Sequence, residues 1–258
     1  MARVLKNKPL EEAIFVLKWE LKKNIEDQSD EEYVSDPSFK LLIGRFWEKI
    51  KEQFPHFEEL DASETSYDFG TFVPQFKFSK TPDKYPFVML GPGIISVHDS
   101  EDYVWNTFEQ QIFLIVNAFH QSYPKPEEIL IVDMYLRYAD AIIFDFQKEN
   151  VLEFLRDQMK VDISINNSVF QNTGVYPVPQ GFDVRFSFFS EDPKSVTHLR
   201  FSRGGEKGEK IMWETVVQVY QKIPQNEDEI KSWATQAHEL ADILFFNTIE
   251  GKLLERFA

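Results

Sequence analysis

Three arginines in the second half of the chain are the residues whose type and spacing most favour chemistry. Arg137, Arg185 and Arg200 each lie between two apolar residues. Because successive side chains of a strand point to opposite faces, this alternation places each guanidinium group on a polar strand face. Guanidinium groups bind carboxylates and phosphates in a bidentate manner. Together with His198, the three arginines are therefore the candidate ligand-binding residues, and a small molecule or a nucleotide is the candidate ligand.

The same pattern has a second explanation that needs no ligand. Asp133, Asp183 and His198 are each an even number of residues from an arginine of the same strand, so they share its strand face. Glu214 lies on a further predicted strand. Opposite charges on neighbouring strands pair across a solvated face. The arginines thus predict either a basic groove or a cross-strand ion-pair network, and both interpretations stay open at the level of sequence.

Histidines and carboxylates lie close together at two other places. His238 and Asp242 are four residues apart in a predicted helix, a spacing that suits a metal pair, an acid with its orienting base, or an ordinary surface contact. His98 and Asp99 precede Glu101 and Asp102, which favours capping of the following helix over binding of a divalent cation. Neither pattern predicts a metal site or a cofactor.

Motifs of the common enzyme classes are absent from the sequence. The glycine-rich segment Gly204–Gly208 lacks the Gly-Lys-Ser/Thr ending of a phosphate-binding loop and predicts a hairpin turn instead. No G-x-S-x-G, G-x-G-x-x-G or kinase motif occurs, and the chain has no cysteine. The sequence therefore leaves catalytic residues unassigned and favours a non-catalytic protein.

Composition limits the classes of partner. The chain has 258 residues, 43% of them hydrophobic, and 43 acidic against 28 basic side chains give a net charge of -15. Such a charge repels phosphate backbones and argues against unselective nucleic-acid binding. The first residues lack the uninterrupted apolar segment of a secretion signal, and no apolar run approaches the ~20 residues of a membrane span. We expect a cytoplasmic protein with no membrane partner.

Hydrophobic periodicity predicts the elements that position these residues. In the first half we expect a strand at 13–22, a solvated acidic loop at 26–36, a helix from Phe39 that ends before Pro55, strands at 72–78, 87–90 and 94–98, and a helix from about Ser100 that ends before Pro124. In the second half we expect a strand at 129–138, a helix at 148–158, strands at 161–165, 182–189, 196–202 and 211–220, and a helix from Asn226.

The order of these elements predicts an α+β fold with antiparallel sheet covered on one face by the long helices. Each half reads as strand, helix, several strands and long helix, and each long helix opens with a tryptophan, Trp105 or Trp233. The two halves would span 1–125 and 126–258. They represent either an internal duplication or two parts of one continuous domain.

Short motifs in a fixed order resemble a known family. These are the early strand "EAIFVLKWEL", "YVWNTF" at Tyr103–Phe108, "LRY" at Leu136–Tyr138 and "HELADILFFNTIEGKL" from His238. Together they resemble a sporadically distributed prokaryotic protein family of unknown function. The pattern departs from the family after "LRY", where Ala139-Asp140 stands near the family's usual asparagine. The resemblance implies a fold and a prokaryotic origin but no catalytic residues.

Three hypotheses for function follow. The first is a non-catalytic interaction or regulatory protein, similar to an antitoxin or a defence-associated protein, with a protein partner encoded nearby; homodimerisation is also open. The second is a binding module that uses the arginine face. The third is an enzyme with an unrecognised site, which predicts a concave pocket holding His98, His198 or His238 beside a carboxylate.

Overall fold

The computed structural model describes residues 5–25, 32–36, 38–60, 72–100 and 102–258, with only the backbone described at 22–25 and 32–35. Within these ranges the chain forms a mixed α/β fold with a nine-stranded antiparallel sheet, a two-stranded sheet and five α-helices. The prediction of an α+β fold with antiparallel sheet is confirmed.

The strands of the large sheet come from both halves of the chain. They are β1 (Leu10–Trp19), β4 (His56–Glu59), β5 (Phe76–Ser79), β6 (Phe87–Gly91), β7 (Ile94–Asp99), β8 (Ile131–Ile143), β9 (Asp183–Glu191), β10 (Lys194–Gly204) and β11 (Lys210–Val219). The separate pair is β2 (Lys22–Ile25) and β3 (Glu32–Ser35). The helices are α1 (Phe39–Ile50), α2 (Trp105–Ser122), α3 (Val151–Met159), α4 (Glu227–Ile249) and α5 (Lys252–Glu255).

Strand order in the large sheet is β4-β5-β6-β7-β1-β8-β11-β10-β9, and each neighbouring pair is antiparallel. In the first half, the earliest strand, β1, lies beside β7, the last strand before α2. In the second half, the earliest strand, β8, lies beside β11, the last strand before α4. β1 and β8 pair with each other at the centre of the sheet.

Alternation along β1 separates two sets of buried side chains. Phe15, Leu17 and Trp19 pack with residues of α1, α2 and α4 in the largest apolar core, whereas Ile14 and Val16 belong to a small cluster with Ile94 of β7. A further core joins α3, α4 and α5 to β8, β10 and β11. The central strand is thus buried on both faces over residues 13–17, and not on one face only, as alternation would indicate.

Helix predictions agree with the structure within a few residues for α1, α2, α3 and α4. Asn226 caps α4 by accepting a hydrogen bond from the backbone N–H of Glu229 at 3.0 Å. The predicted cap of α2 is wrong, because α2 begins at Trp105 and its N-cap residue is Val104. The chain turns earlier instead, where the N–H of Tyr103 donates to the carbonyl of Ser100 at 2.7 Å. Glu101 lies outside the described residues.

Two strand predictions and one loop prediction need correction. The segment 161–165 is irregular; its alternation arises because Val161 and Ile163 pack on the core beside α3 after Lys160 ends that helix in a left-handed conformation. The strand expected at 72–78 begins only at Phe76, consistent with the missing N–H of Pro74. The acidic segment expected to be a loop contains β3, while 26–31 lie outside the described residues.

Candidate functional site

A cavity of about 390 Å³ lies where the two halves of the chain meet. The first half contributes the segment before β1 and the start of α2, and the second half contributes β8, β11 and α4. Its size falls in the usual range for small-molecule sites. Aromatic side chains dominate the lining, which includes Tyr103, Trp105, Tyr138, His238, Phe245 and Phe246.

Each wall is positioned by a regular element. Tyr138 and Asp140 are two residues apart in β8, so the pleat points both to the same side of the sheet. His238 and Asp242 are four residues apart in α4 and share a helix face. Trp105 is the first residue of α2, and its ring stacks on that of His238 with 3.9 Å between centroids.

A hydrogen-bonded chain of side chains runs along one wall. The hydroxyl oxygens of Tyr103 and Tyr138 are 2.8 Å apart, and the Tyr138 hydroxyl lies 2.9 Å from Nδ1 of His238. Burial lowers the pKa of His238 to about 4, so its ring is neutral at physiological pH. Burial also raises the pKa of both tyrosines. The wall is therefore uncharged but presents polar atoms at fixed positions.

Asp140 is the unusual residue of the cavity. It is only 3% exposed, and its carboxyl group makes no hydrogen bond or ion pair with any residue in the described part of the chain. Burial, and then the nearby charge of Glu11, raise its pKa to about 8. Because Asp140 lines the cavity, a ligand bound there could supply the partner that this carboxyl group lacks.

Carboxyl groups lie near the Tyr103 hydroxyl. Burial is the main cause of its raised pKa, and Asp99, Asp242 and Asp140 add to the increase. Lys8 is the cationic side chain of the lining, and its ammonium group donates to the backbone carbonyl of Tyr103. Aromatic walls with an adjacent carboxylate are the features that attract organic cations.

The predicted arginine face exists as a geometric arrangement. Strand register places Arg137, Arg185 and Arg200 on one face of the sheet, with Arg185 directly opposite Arg200 and with His198 two residues along β10. This face is opposite to the one that carries Tyr138 and Asp140, because Arg137 and Tyr138 are adjacent in β8. The sequence-based candidates and the cavity are thus two different places.

Carboxylates accompany two of the three guanidinium groups. Arg137 lies between Glu12 and Glu214, at 3.3 and 3.2 Å, and Arg200 contacts Asp183 at 2.6 Å and Glu214 at 3.4 Å. Arg185 has no polar partner among the described residues. These contacts agree with the ion-pair explanation of the pattern. Binding of an anion by the arginines stays a prediction.

His198 belongs to the same face. Its Nδ1 lies 2.8 Å from the Ser187 hydroxyl and its Nε2 lies 3.4 Å from Oε1 of Gln218. Burial and the nearby charge of Arg185 lower its pKa. Asp133, expected on this face, is also there and accepts a hydrogen bond from the Gln218 amide at 2.9 Å.

His98 forms a second polar constellation, on the face opposite to the cavity. Its Nε2 is 2.8 Å from the Ser96 hydroxyl and its Nδ1 is 3.1 Å from Glu12, the order of a hydroxyl, imidazole and carboxylate triad. Ser96 and His98 are both 0% exposed, and the ring of Phe87 stacks on His98 at 4.5 Å. A substrate has no access to this hydroxyl, so the contacts join β1 to β7 instead.

Contacts of Glu12 connect this constellation to the arginine face. Burial acts to raise the pKa of Glu12, but contacts with His98 and Arg137 outweigh burial and hold the pKa below its ordinary value. For His98, burial lowers the pKa more than Glu12 raises it. The result is an ionised carboxylate beside a neutral imidazole, joined to Arg137.

The sequence pairs two side chains of the cavity, His238 and Asp242, by their spacing, but does not single out the most informative one. An ordinary surface contact, one of the alternatives for this pair, does not describe His238, which contacts Tyr138 and Trp105 in the cavity. Asp140 carried a signal that was available: an acidic residue inside the apolar strand segment Tyr138–Ile143. Such a residue is either paired or functional when the strand is buried.

Within the described ranges, no group of three or more histidine or carboxylate side chains is arranged to hold a metal ion. Among the same residues, no helix combines the length and the apolar character needed to cross a bilayer.

Comparison of the chain with models of protein families, with curated proteins and with solved structures found no match. Functional inference for this protein therefore rests on the geometry of the cavity.

Proposed function

We propose that this protein is a non-catalytic binding protein whose ligand is a small organic cation, held in the cavity between the two halves. The observation that carries the proposal is the buried carboxyl group of Asp140, which lines the cavity without a partner among the described residues. An ammonium group would supply the missing partner and allow Asp140 to ionise.

The remaining lining fits the same ligand class. The rings of Tyr103, Trp105 and Tyr138 line the same cavity as the carboxyl group, and a cation over the face of such a ring gains about 0.5 to 2 kcal/mol. Phe245 and Phe246 provide apolar surface for the body of the ligand. An anion fits poorly at pH 8 and above, where Asp140 is ionised and would repel it. We therefore infer an amine with an aromatic or aliphatic body.

The proposal predicts selectivity for charge at constant shape. Benzylammonium and benzyl alcohol are nearly isosteric, so calorimetric titration of both at pH 8 separates the contribution of charge. Benzylammonium is expected to bind at least about tenfold more tightly than benzyl alcohol, the ratio that corresponds to one charge-assisted hydrogen bond. Equal affinities, or tighter binding of phenylacetate, would contradict a cation site.

Substitution of single carboxylates tests whether the preference for benzylammonium arises in the cavity. Asp140→Asn is expected to remove the tenfold preference for benzylammonium while leaving benzyl alcohol binding in place. Asp162→Asn is the matched control, because Asp162 is exposed and outside the cavity lining. If both variants kept the preference, the cation would have to bind elsewhere on this acidic protein.

We also propose that the chain is an internal duplication, with halves at 1–125 and 126–258 and with the long helices on one face of the sheet. The support is topological: in each half the earliest strand lies beside the last strand before the long helix, and β1 and β8 pair at the centre. Contacts between α2 and α4, and of each with strands of its own half, agree with this arrangement. The cavity then lies between two related units.

A further inference from the structure

The edge strand β9 differs from the opposite edge of the large sheet. β9 has nine residues, and Phe188 and Phe189 are 52% and 74% exposed. β4, at the other edge, has four residues and carries Glu58 and Glu59. Short, charged edge strands avoid pairing with other chains, whereas long apolar ones promote it. β9 therefore presents an unprotected edge.

We propose that β9 pairs with β9 of a second copy of this chain, in an antiparallel arrangement whose two-fold axis passes through Phe188. Such pairing would join the two nine-stranded sheets into one continuous sheet. The unpaired backbone N–H and C=O groups of each edge strand would form hydrogen bonds with those of the other. This inference does not depend on the ligand proposed for the cavity.

Charge complementarity selects this partner and this register. With Phe188 opposite its own copy, Arg185 of one chain lies opposite Glu191 of the other, and the pair occurs twice by symmetry. Neither Arg185 nor Glu191 has a polar partner among the described residues of its own chain. A shift of the axis to Ser187 would place Asp183 opposite Glu191, which repel each other.

Apolar contacts follow from the same register. Phe188 meets its own copy, and Phe189 lies opposite Ser187 of the partner, next to the Arg185 and Glu191 pair. Phe186 stacks near Phe188 within one chain, with 6.3 Å between ring centroids. The pairing would thus cover apolar side chains on both faces of the edge strand. A peptide from an unrelated protein would gain the backbone hydrogen bonds but would lack this reciprocal set of charges.

Charge exchange tests the register without removing apolar contacts. Analytical ultracentrifugation of the full chain should show a reversible dimer. Arg185→Glu is expected to weaken the dimer about tenfold or more, because two attractive pairs become repulsive. The double variant R185E/E191R should restore the wild-type dimerisation constant. A wild-type chain that remains monomeric up to millimolar concentration, or a double variant as weak as the single one, would overturn the proposal.

Disulfide trapping gives an independent readout, because the chain has no cysteine of its own. Phe188→Cys should form a cross-linked dimer under mild oxidation, since residues directly opposite in an antiparallel pair lie within disulfide range. Ser187→Cys should not, because its copies would be about 8 Å apart, from the strand rise and the strand spacing. Glu58→Cys on β4 is the control edge. Equal cross-linking of all three variants would indicate random collision and contradict the register.

Discussion

Asp140 combines a cost for the folded protein with a benefit for binding. Its carboxyl group is buried without a partner among the described residues, and its pKa is raised to about 8. The ordinary pKa is 3.8, so the unfolded chain releases this proton at a much lower pH than the folded chain does. The contribution of protonated Asp140 to the unfolding free energy is therefore fully present below about pH 4 and is lost progressively as the pH rises towards 8.

Asp140→Asn is accordingly expected to stabilise the protein at neutral pH. One pKa unit corresponds to about 1.4 kcal/mol, so the gain in unfolding free energy at pH 7 is at most about 4 kcal/mol, and it should vanish near pH 4. Urea unfolding of both proteins at several pH values measures the difference. A variant that is less stable than wild type at pH 7 would show that Asp140 has a structural partner.

Arg137 represents the opposite case, a partly buried charge with partners on both sides. Burial acts to lower its pKa, but Glu214 and Glu12 outweigh burial and raise it. Arg137→Met would remove the guanidinium partner of Glu12 and leave Glu214 with Arg200 alone, at 3.4 Å. This is expected to cost about 1 to 3 kcal/mol of unfolding free energy, reduced from the fully buried case by partial exposure.

Arg156→Met serves as the control for that substitution. Arg156 also pairs with a carboxylate, at 2.7 Å from Asp157, but both side chains are exposed. Exposed pairs contribute little, so thermal unfolding of this variant should resemble that of wild type. Similar losses from the two substitutions would mean that the carboxylates around Arg137 relax into solvent.

At the scale of elements, α4 depends on how its first turn is capped. Asn226 accepts from the N–H of Glu229, and acidic residues follow it in the first turn. Asn226→Ala should lower the unfolding free energy by about 1 kcal/mol, whereas Asn226→Ser should retain most of it because serine also caps. Chemical denaturation of the two variants compares them. Equal losses would assign the effect to a contact other than the cap.

Elements with strong periodicity were predictable from sequence, whereas those that depend on distant partners were not. α2 shows its apolar stripe through Phe108, Ile112 and Phe119, all fully buried. β4 contains one apolar residue, Phe57, and becomes a strand only because β5 pairs with it. Val161 and Ile163 show the converse, since their alternation arises from packing an irregular segment. A local sequence pattern indicates which side chains are buried, but it does not show which segments pair as strands, because pairing depends on distant parts of the chain.

The candidate site was less predictable than the fold for a related reason. Tyr103, Tyr138 and His238 are separated by more than thirty residues, and only the pairing of β8 with its neighbours and the packing of α4 bring them together. The shared face of the arginines could be predicted, because parity along a strand is local. The carboxylates that pair with Arg137 come from β1 and β11, so these contacts could be predicted only if the order of strands in the sheet were known.

At the scale of the whole molecule, the first described residues lie next to the last ones. The backbone N–H groups of Lys6 and Asn7 donate to the carbonyl of Phe257 at 3.0 and 3.1 Å. A circular permutant that joins residue 258 to residue 1 through a short Gly-Ser linker and opens before Pro126 would place the proposed second unit first. Because residues 125–128 are exposed, this permutant should fold with the wild-type circular dichroism spectrum.

Failure of that permutant to fold, while a permutant opened in the Gly204–Gly208 hairpin folds, would argue against two related units. The hairpin is the matched control because it too is an exposed turn, with Gly205 and Gly208 in left-handed conformations. Folding of the first permutant with unchanged benzylammonium affinity would agree with a cavity between units that assemble in either order.

The net charge of -15 favours the approach of cations to the molecule as a whole, but it does not locate a binding site. What distinguishes the cavity is the coupling between ligand charge and the proton of Asp140. Primary amines stay charged well above pH 8, and the pKa of His238 lies near 4. Between pH 5.5 and 8.5, Asp140 is therefore the cavity group whose protonation should respond to the ligand.

Calorimetric titration of benzylammonium across this pH range tests the central claim most directly. The association constant of the wild-type protein should rise about tenfold per pH unit up to about pH 8 and then level off, since binding requires the ionised carboxylate. Asp140→Asn should show weak binding that does not vary with pH. An association constant for the wild type that is constant across the range, or that varies equally in the variant, would contradict Asp140 as the counterion of a cationic ligand.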